Sequence, residues 1–485
     1  MAQSLIENRG INPKGIFAGI IASLLFALFF APEGLDRPAQ LVAAIGVLMA
    51  VWWATEAIPL PATAMLPIIA FPLAGVMTIQ QATAPYANPI IFLFLGGFIV
   101  ALAVERSQLH RRIALMIFRF MGSSGKGLVA GFMLAAALLS MWISNTSTTL
   151  MLFPIAVSLA LVVGETSPGL SDKAKRDFQI ALLLGLAYGA SIGGVATLVG
   201  TPTNAFMVGF LQSEYQLEIP FARWMMVGIP VTLLLLPLGW LLLTRFLFPV
   251  DFASSEQTRA ELDRRHAELG KMSQAEKRTA ALFALLIIGW LLRKPIAAAI
   301  GLEGLSDAGV AISAAVLAFL IPSGSDRHAL VTWEDTKRLP WGVLILFGGG
   351  LSLAAALSSS GLTLWLGQQM APLGAINDIL LVVALTSLVI FLTELTSNVA
   401  TTATLLPVVA AVAIELGVDP LILVVPVTVA ASCAFMLPVA TPPNAIVFSS
   451  GEIQIREMMR AGLWLNIVSI ALVSAVAVWL VPAVL

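Results

Sequence analysis

The sequence predicts an all-α polytopic membrane protein with about 11 transmembrane helices and two re-entrant hairpins, laid out as an inverted repeat. Three observations carry this. Of 485 residues, 59% are hydrophobic and only 11% charged, against about 25% charged in a soluble domain. A polar sextet, Ser144-Asn145-Thr146-Ser147-Thr148-Thr149, interrupts an apolar stretch and returns downstream as Ser397-Asn398-Val399-Ala400-Thr401-Thr402, with Pro154 and Pro407 at matching places beyond it. Lys and Arg, finally, are concentrated in alternate loops.

The first fifteen residues are polar, and the apolar run at 16–31 leads into a chain that keeps returning to the membrane, so no cleavable signal is expected. Further apolar segments fall at 39–54, 58–76, 90–104, 179–211, 224–248, 279–292, 306–322, 341–357, 420–450 and 461–485. They carry Gly and Pro internally, as helical transporters do, without the dyad alternation of an outer-membrane barrel. The polar sextets sit in the two remaining stretches, hairpins at about 128–163 and 377–414. Their flanking apolar arms are shorter than the roughly 20 residues that span a bilayer core. Residues 105–122 alternate Arg111, Arg112 and Arg119 with Ile113, Leu115, Met116 and Phe118, as an interfacial helix should, and 358–370 is the uncharged counterpart. A stretch rich in both charge signs, 251–278, separates the halves as a solvated linker helix. The organisation read from this is a tail and first helix (1–38), a first repeat (39–248, with a broken helix at 179–211), a charged linker (249–278) and a second repeat (279–485, with a broken helix at 420–450).

Charge fixes the sides. With a cytoplasmic N-terminus, an extracytoplasmic C-terminus and hairpins that return to the face they came from, all 26 Lys and Arg fall on the cytoplasmic side except Arg37, Arg223, Arg293 and Lys294. Were either hairpin a full crossing, every later loop would change sides and the bias would blur. An odd number of crossings then separates Asn145 from Asn398, so the polar tips enter from opposite faces. Other pieces repeat in register: Phe94-Leu95-Gly96-Gly97 with Leu346-Phe347-Gly348-Gly349, and Gly200-Thr201-Pro202-Thr203-Asn204 with Ala440-Thr441-Pro442-Pro443-Asn444.

Non-helical backbone at membrane depth is tolerated only where protein or a water-filled cavity surrounds it. Each tip therefore implies a polar site. The arriving helix ends in free carbonyls suited to a cation, and the departing one begins with free N–H groups suited to an anion. Asn145 and Asn398 can do either, through the amide oxygen or nitrogen. Thr148, Thr149, Thr401 and Thr402 have the alternative of bonding back to the preceding turn. Gly193-Gly194 and the Thr-Pro runs break the following helices and add carbonyls and N–H groups at the same depth. No Arg, Lys or His lies in the tips or breaks, so a multivalent anion would meet only neutral donors, and its charge must be offset by cations that bind with it. Ser, Asn and carbonyl oxygens suit a hard monovalent ion, Na+ before any other. Glu394 is the one ionisable group near a tip, either a proton or cation partner or a hydrogen-bonded brace.

The Ser-Asn-Thr at 144–146, the Thr-Ser-Asn at 396–398 and the Thr-Pro-x-Asn motifs at 201–204 and 441–444 resemble the divalent anion:sodium symporter family, the sodium-coupled dicarboxylate transporters. The likeness covers nearly the whole chain. It implies that substrate carboxylates meet Ser144, Asn145, Thr146, Ser397, Asn398, Thr441 and Pro442. It also implies one sodium site at Ser140, Ser144, Asn145 and Gly200 and a second at Thr393, Ser397, Asn398 and Ala440, partly through backbone carbonyls. Val399 stands where some members carry a third-position Thr. The resemblance further implies a homodimer in the bacterial inner (plasma) membrane, with a hairpin-bearing domain that slides on a fixed scaffold, an elevator motion.

The leading functional reading is a secondary transporter carrying a C4-dicarboxylate such as succinate, malate or fumarate inward with more than two Na+. The alternatives within the fold are a Na+-independent dicarboxylate, citrate or tartrate exchanger and a sodium:sulfate symporter. A cation:proton antiporter would need a mid-membrane acidic pair, for which Glu56 and Glu394 are the near residues. An enzyme is not expected: His110, His266 and His328 all lie away from the tips. With three His and the lone Cys433 there is no zinc set and no internal disulfide, and no basic, aromatic-interleaved cluster points to nucleic acid.

Overall fold

In the computed structural model, residues 11–166, 170–253, 256–302, 304–324, 328–370 and 377–485 are described. Arg9, Arg327 and most of the N-terminal tail, counted above, lie outside them. Among the described residues the secondary structure is helical, apart from one isolated bridge between Pro322 and Ala329. Eight helices among the described residues are long and apolar enough to cross a bilayer. Gln274–Leu291 and Arg293–Ala299, bent by 80°, add a ninth if they count as one span. Shorter apolar helices, among them Pro13–Phe29, Asp307–Leu320 and Pro420–Ala430, make up the rest of the apolar layer.

Several helices start where a side chain accepts one of the orphan N–H groups of the first turn. Asn12, Ser124, Ser171, Asn377 and Asp419 do so for Pro13–Phe29, Gly125–Ser140, Asp172–Gly194, Asp378–Thr393 and Pro420–Ala430. Ser273 and Glu276 form a reciprocal capping box at the start of Gln274–Leu291.

The hairpins are Gly125–Ser140 with Asn145–Thr166, and Asp378–Thr393 with Asn398–Glu415. They differ from the sequence expectation in two respects. First, both outgoing arms, expected to be too short to span a bilayer, are among the eight helices long and apolar enough to do so. Second, the polar sextet is not a loop: Asn145 and Asn398 open the outgoing helices, and only the four residues before each Asn leave the helical path. Hydroxyls that bond back to the preceding turn let polar residues continue a helix, so the outgoing arms reach 22 and 18 residues. After each hairpin the chain runs as two helices in succession, Asp172–Gly194 and Pro202–Tyr215 in the first case and Pro420–Ala430 and Pro442–Phe448 in the second.

The incoming arm of the first hairpin packs along Asp172–Gly194. A Cβ on Gly189 would stand 2.6 Å from the Met133 carbonyl oxygen, so glycine is what lets the two backbones approach. Pro89–Arg106 packs on Asp307–Leu320, and Leu109–Met121 and Leu362–Met370 each lie against the hairpin of their own repeat. Phe94 and Phe347, one from each copy of the repeated Phe/Gly motif, meet edge to face at 5.2 Å. The repeats are joined again by the Tyr188 hydroxyl, which donates to the Phe435 carbonyl at 2.9 Å in the buried interior. The lone thiol, Cys433, is buried nearby in the sequence of the second break.

Among the described residues, every ion pair between separate segments joins loops that the charge pattern assigns to one face. On one side Arg106 meets Asp335 (2.8 Å), Arg112 meets Glu276 (2.7 Å), Lys126 meets Asp251 (3.2 Å), Arg176 meets Glu457 (3.0 Å) and Arg338 meets Glu105. On the other, Arg293 meets Glu218 (2.6 Å) and Asp307 (2.8 Å), and Arg223 donates to the Val484 carbonyl.

Candidate functional site

The incoming arm of the first hairpin ends at Ser140, and the outgoing arm begins five residues later at Asn145. The Ser140 hydroxyl donates to Asn145 Oδ1. In the second hairpin the Thr393 hydroxyl faces Asn398 Oδ1 at 2.8 Å. The outgoing turns match as well: the Thr149 and Thr402 hydroxyls donate to the Asn145 and Asn398 carbonyls, both at 2.8 Å. For these two threonines, bonding back to the preceding turn is what the structure shows.

Oxygen crowds both asparagines. Turned with its nitrogen inward, the Asn145 amide reaches the Ala190 carbonyl at 3.2 Å and the Gly200 carbonyl at 3.3 Å. Turned the other way, it adds its own oxygen to a cluster with Ser140 Oγ and those carbonyls. An amide with only acceptors before it is satisfied by its N–H groups when the site is empty and by its oxygen when a cation sits there. Around Asn398 the Thr393 hydroxyl has two acceptors for one proton, Asn398 Oδ1 and the Ala431 carbonyl at 3.0 Å. Ala440 lies buried in the adjoining break, where its N–H donates to the Leu437 carbonyl. Among the described residues it shares no hydrogen bond with Asn398.

The substrate-side candidates fall on helix starts. Ser144 accepts from Ser147 N–H at 3.2 Å and caps the outgoing arm. Ser397 holds the equivalent place, yet its side chain makes no capping bond. Ser397 and Thr146 are half-buried, with hydroxyls that have no partner among the described residues. Thr441 caps Pro442–Phe448 through Asn444 N–H, and Pro442 is exposed beside it. Packing is crossed between repeats: Asn145–Thr166 lies on Pro442–Phe448, and Asn398–Glu415 on Pro202–Tyr215. Each tip is thereby brought to the break of the other repeat. No Lys, Arg or His hydrogen-bonds to a tip or a break among the described residues, so helix N-termini and neutral donors are what an anion would meet.

A family model described as "Sodium:sulfate symporter transmembrane region" matches residues 14–485. The chain belongs to this family. It is 41% identical over 490 residues to the "Sodium-dependent dicarboxylate transporter SdcS" of Staphylococcus saprophyticus, covering 99% of this chain and 94% of that one. The protein of the same name from Staphylococcus aureus strain USA300 is 40% identical over 475 residues, 97% of this chain and 91% of its own. Among solved structures, the YdaH transporter of Alcanivorax borkumensis covers 91% of this chain and 98% of its own with a TM-score of 0.57. At 17% identity that likeness speaks for the fold alone. The chain is a multi-pass membrane transporter of this family and not an enzyme.

Three positions in this family member escaped the sequence reading. Asn204 and Asn444 close the Thr-Pro-x-Asn motifs, and their amides staple the breaks. Asn204 donates to the Val195 and Thr197 carbonyls at 3.1 and 2.8 Å, Asn444 to those of Ala434 and Leu437 at 3.2 and 3.1 Å. The signal was present, since both motifs end in a buried amide at equal spacing. Trp142 has no counterpart in sequence: Leu395 holds its place in the second tip. Its ring stacks 6.1 Å from Phe221 and 6.3 Å from Trp290, and Phe221 and Trp290 stack at 4.3 Å. The first tip is thus walled by aromatic rings, whereas Leu395 is 69% exposed and Val439, in the second break, 63%.

Glu394 resolves into the second of its two readings, a brace. Its carboxylate accepts from the N–H groups of Phe435 (2.7 Å), Met436 (2.9 Å) and Leu437 (3.0 Å), and from the Asn466 amide (2.8 Å). These are donors that the broken helix leaves without carbonyl partners. In the first repeat Thr197 does the equivalent work, donating to the Met141 carbonyl and accepting from Gly200 N–H.

Proposed function

We propose that this protein couples inward Na+ movement to uptake of a C4-dicarboxylate, of the class of succinate, malate and fumarate. The observation that carries the reading is the pair of matching oxygen clusters, Ser140 with Asn145 and Thr393 with Asn398, at helix ends with no basic side chain. The "sodium-dependent dicarboxylate transporter" name of relatives at about 40% identity supports it.

Sodium binds at two places. Ser140, Ser144, Asn145 and Gly200 hold one ion; Thr393, Ser397, Asn398 and Ala440 hold the other. Each asparagine turns its amide oxygen to the ion, which frees the amide nitrogen to donate toward the substrate side. The dicarboxylate then lies between the tips, against Ser144, Asn145, Thr146, Ser397, Asn398, Thr441 and Pro442. Its carboxylates take N–H groups at the starts of Asn145–Thr166, Asn398–Glu415 and Pro442–Phe448. With no fixed positive charge present, sodium must be bound for the dianion to be held, and this obligate order is the physical basis of coupling.

The two repeats (39–248 and 279–485) enter from opposite faces, and their hairpins and broken helices form one mobile unit that slides as an elevator against the remaining helices. The protein works as a homodimer in the bacterial plasma membrane, with its N-terminus cytoplasmic and its C-terminus outside. The test is uptake of labelled succinate into proteoliposomes, with an inward Na+ gradient against an equal K+ gradient, and with internal dicarboxylate present or absent. Na+-dependent uptake that needs no internal anion supports symport. Uptake that ignores Na+ but requires internal dicarboxylate makes the protein an exchanger and removes the sodium assignments. Na+-dependent uptake of sulfate in place of succinate keeps the ion sites and changes the cargo.

A further inference from the structure

We propose a binding site for the headgroup of an anionic phospholipid between the interfacial helix Leu109–Met121 and the linker helix Glu256–Glu268. A cavity of about 240 Å³ opens there, lined by Phe118, Arg119, Gly122, Ser123, Arg259, Leu262 and Asp263. Its lining carries two arginines and one aspartate. Arg119 stands 3.3 Å from Asp263 with both side chains more than half exposed, and Arg259 has no partner among the described residues. On the same helix as Arg119, Met116 is 49% and Phe120 87% exposed. A bare aromatic ring next to Arg119 in the chain is poorly suited to water and well suited to the boundary of a bilayer, where rings sit among acyl chains and arginines reach for phosphate. Basic pockets between helices at this level are where acidic headgroups bind.

Charge and shape commit the site to a lipid. A phosphodiester takes the unpaired Arg259 first and shares Arg119 with Asp263, while an acyl chain lies along Phe120 and Met116. The occupant also acts as a clamp. Leu109–Met121 packs on the first hairpin, and the linker helix reaches that hairpin through Arg265, which donates to the Ser158 hydroxyl at 2.6 Å. A headgroup bridging Arg119 and Arg259 therefore ties two supports of one hairpin together. The site rests on the chain's crossing a membrane and is independent of which ion or substrate is carried.

The test compares the purified full-length protein with the double variant Arg119→Gln/Arg259→Gln, each incubated with phosphatidylglycerol or phosphatidylcholine and examined by native mass spectrometry. At about 1 kcal/mol per basic residue, losing both arginines should weaken phosphatidylglycerol retention roughly thirtyfold and leave phosphatidylcholine retention unchanged. Retention equal in both proteins overturns the site. Displacement of the lipid by millimolar glycerol phosphate makes it a soluble-phosphate site and overturns the lipid assignment. Should the double variant be recovered aggregated, Phe120→Gln with both arginines kept gives the second reading: weaker retention supports the acyl-chain contact, and unchanged retention overturns it. A failure of the succinate assay above leaves all of these outcomes standing.

Discussion

Asn145 and Asn398 are each the first residue of a helix whose incoming partner ends five residues earlier, so a single amide sees the end of one helix and the start of the next. Replacing either by Ala removes one oxygen from the cluster and, with it, the amide N–H groups that can donate to an anion. Asn145→Ala and Asn398→Ala should each abolish uptake while the protein stays folded in the membrane, and near-normal transport in both would refute the assignment. Gly194 gives a finer test. A Cβ there would lie 2.7 Å from Asn145 Oδ1 and 3.0 Å from the Gly200 carbonyl oxygen, so one of them must move. Overpacking of this kind costs about 1–3 kcal/mol. Gly194→Ala should therefore lower the Na+-free melting point and, because Asn145 is displaced, raise the Na+ concentration needed for half-maximal thermal stabilisation about tenfold. These asparagines were legible because the motif is duplicated at a constant spacing. Asn204 and Asn444 were equally visible as letters, but their role depends on which carbonyls the break frees, and that is a matter of backbone path.

At the scale of the element, the two hairpins are alike in hydrogen bonding and unlike in surroundings. Trp142 is held between the ends of Phe221–Leu241 and Gln274–Leu291, while Leu395 faces outward. Trp142→Ala should cut uptake severalfold by loosening the first tip, whereas Leu395→Ala should leave it near wild type; equal effects would sink the idea that the aromatic wall positions the tip. The helix pairs Gly125–Ser140 with Asn145–Thr166 and Asp378–Thr393 with Asn398–Glu415 fall where apolar runs flank the polar sextets in the sequence. The helical state of the sextet was not legible, since polar residues in a row read as a loop until their hydroxyls are seen to bond back. The short helix Trp333–Arg338 makes a separate point about pH. Burial pushes the Asp335 carboxyl up, but the Thr332 N–H and hydroxyl, with Arg106 and Arg338, outweigh it and hold the group below the usual carboxylate range. A depressed folded-state value means that its contribution to stability is complete above the unfolded pKa of about 3.9 and is lost as pH falls through the lower folded value. The melting point of Asp335→Asn should accordingly fall below wild type at pH 7, with the gap closing only under pH 4.

At the scale of the whole molecule, charges that the sequence pattern groups on one face pair, among the described residues, only with charges of the same group. That arrangement was legible because a helical membrane protein must alternate, and Lys and Arg record the alternation. The crossed packing of each tip on the other repeat's break was not legible, because no local pattern encodes which of two similar helices a hairpin will meet. If more than two Na+ accompany each dianion, transport carries net positive charge inward. Uptake should then rise with an inside-negative potential, by a driving force of about 2.3 kcal/mol per net charge for every 100 mV; indifference to potential would point to a neutral stoichiometry or to exchange.

The burial of Cys433 has a practical consequence. A membrane-impermeant maleimide finds no accessible thiol on the native chain, so a cysteine introduced in place of Leu395 or Val439 would be the sole target. Its labelling from one side of a sealed vesicle or the other would report which compartment the second tip faces at that moment, and adding Na+ or succinate would turn the same reaction into a clock for the change of side.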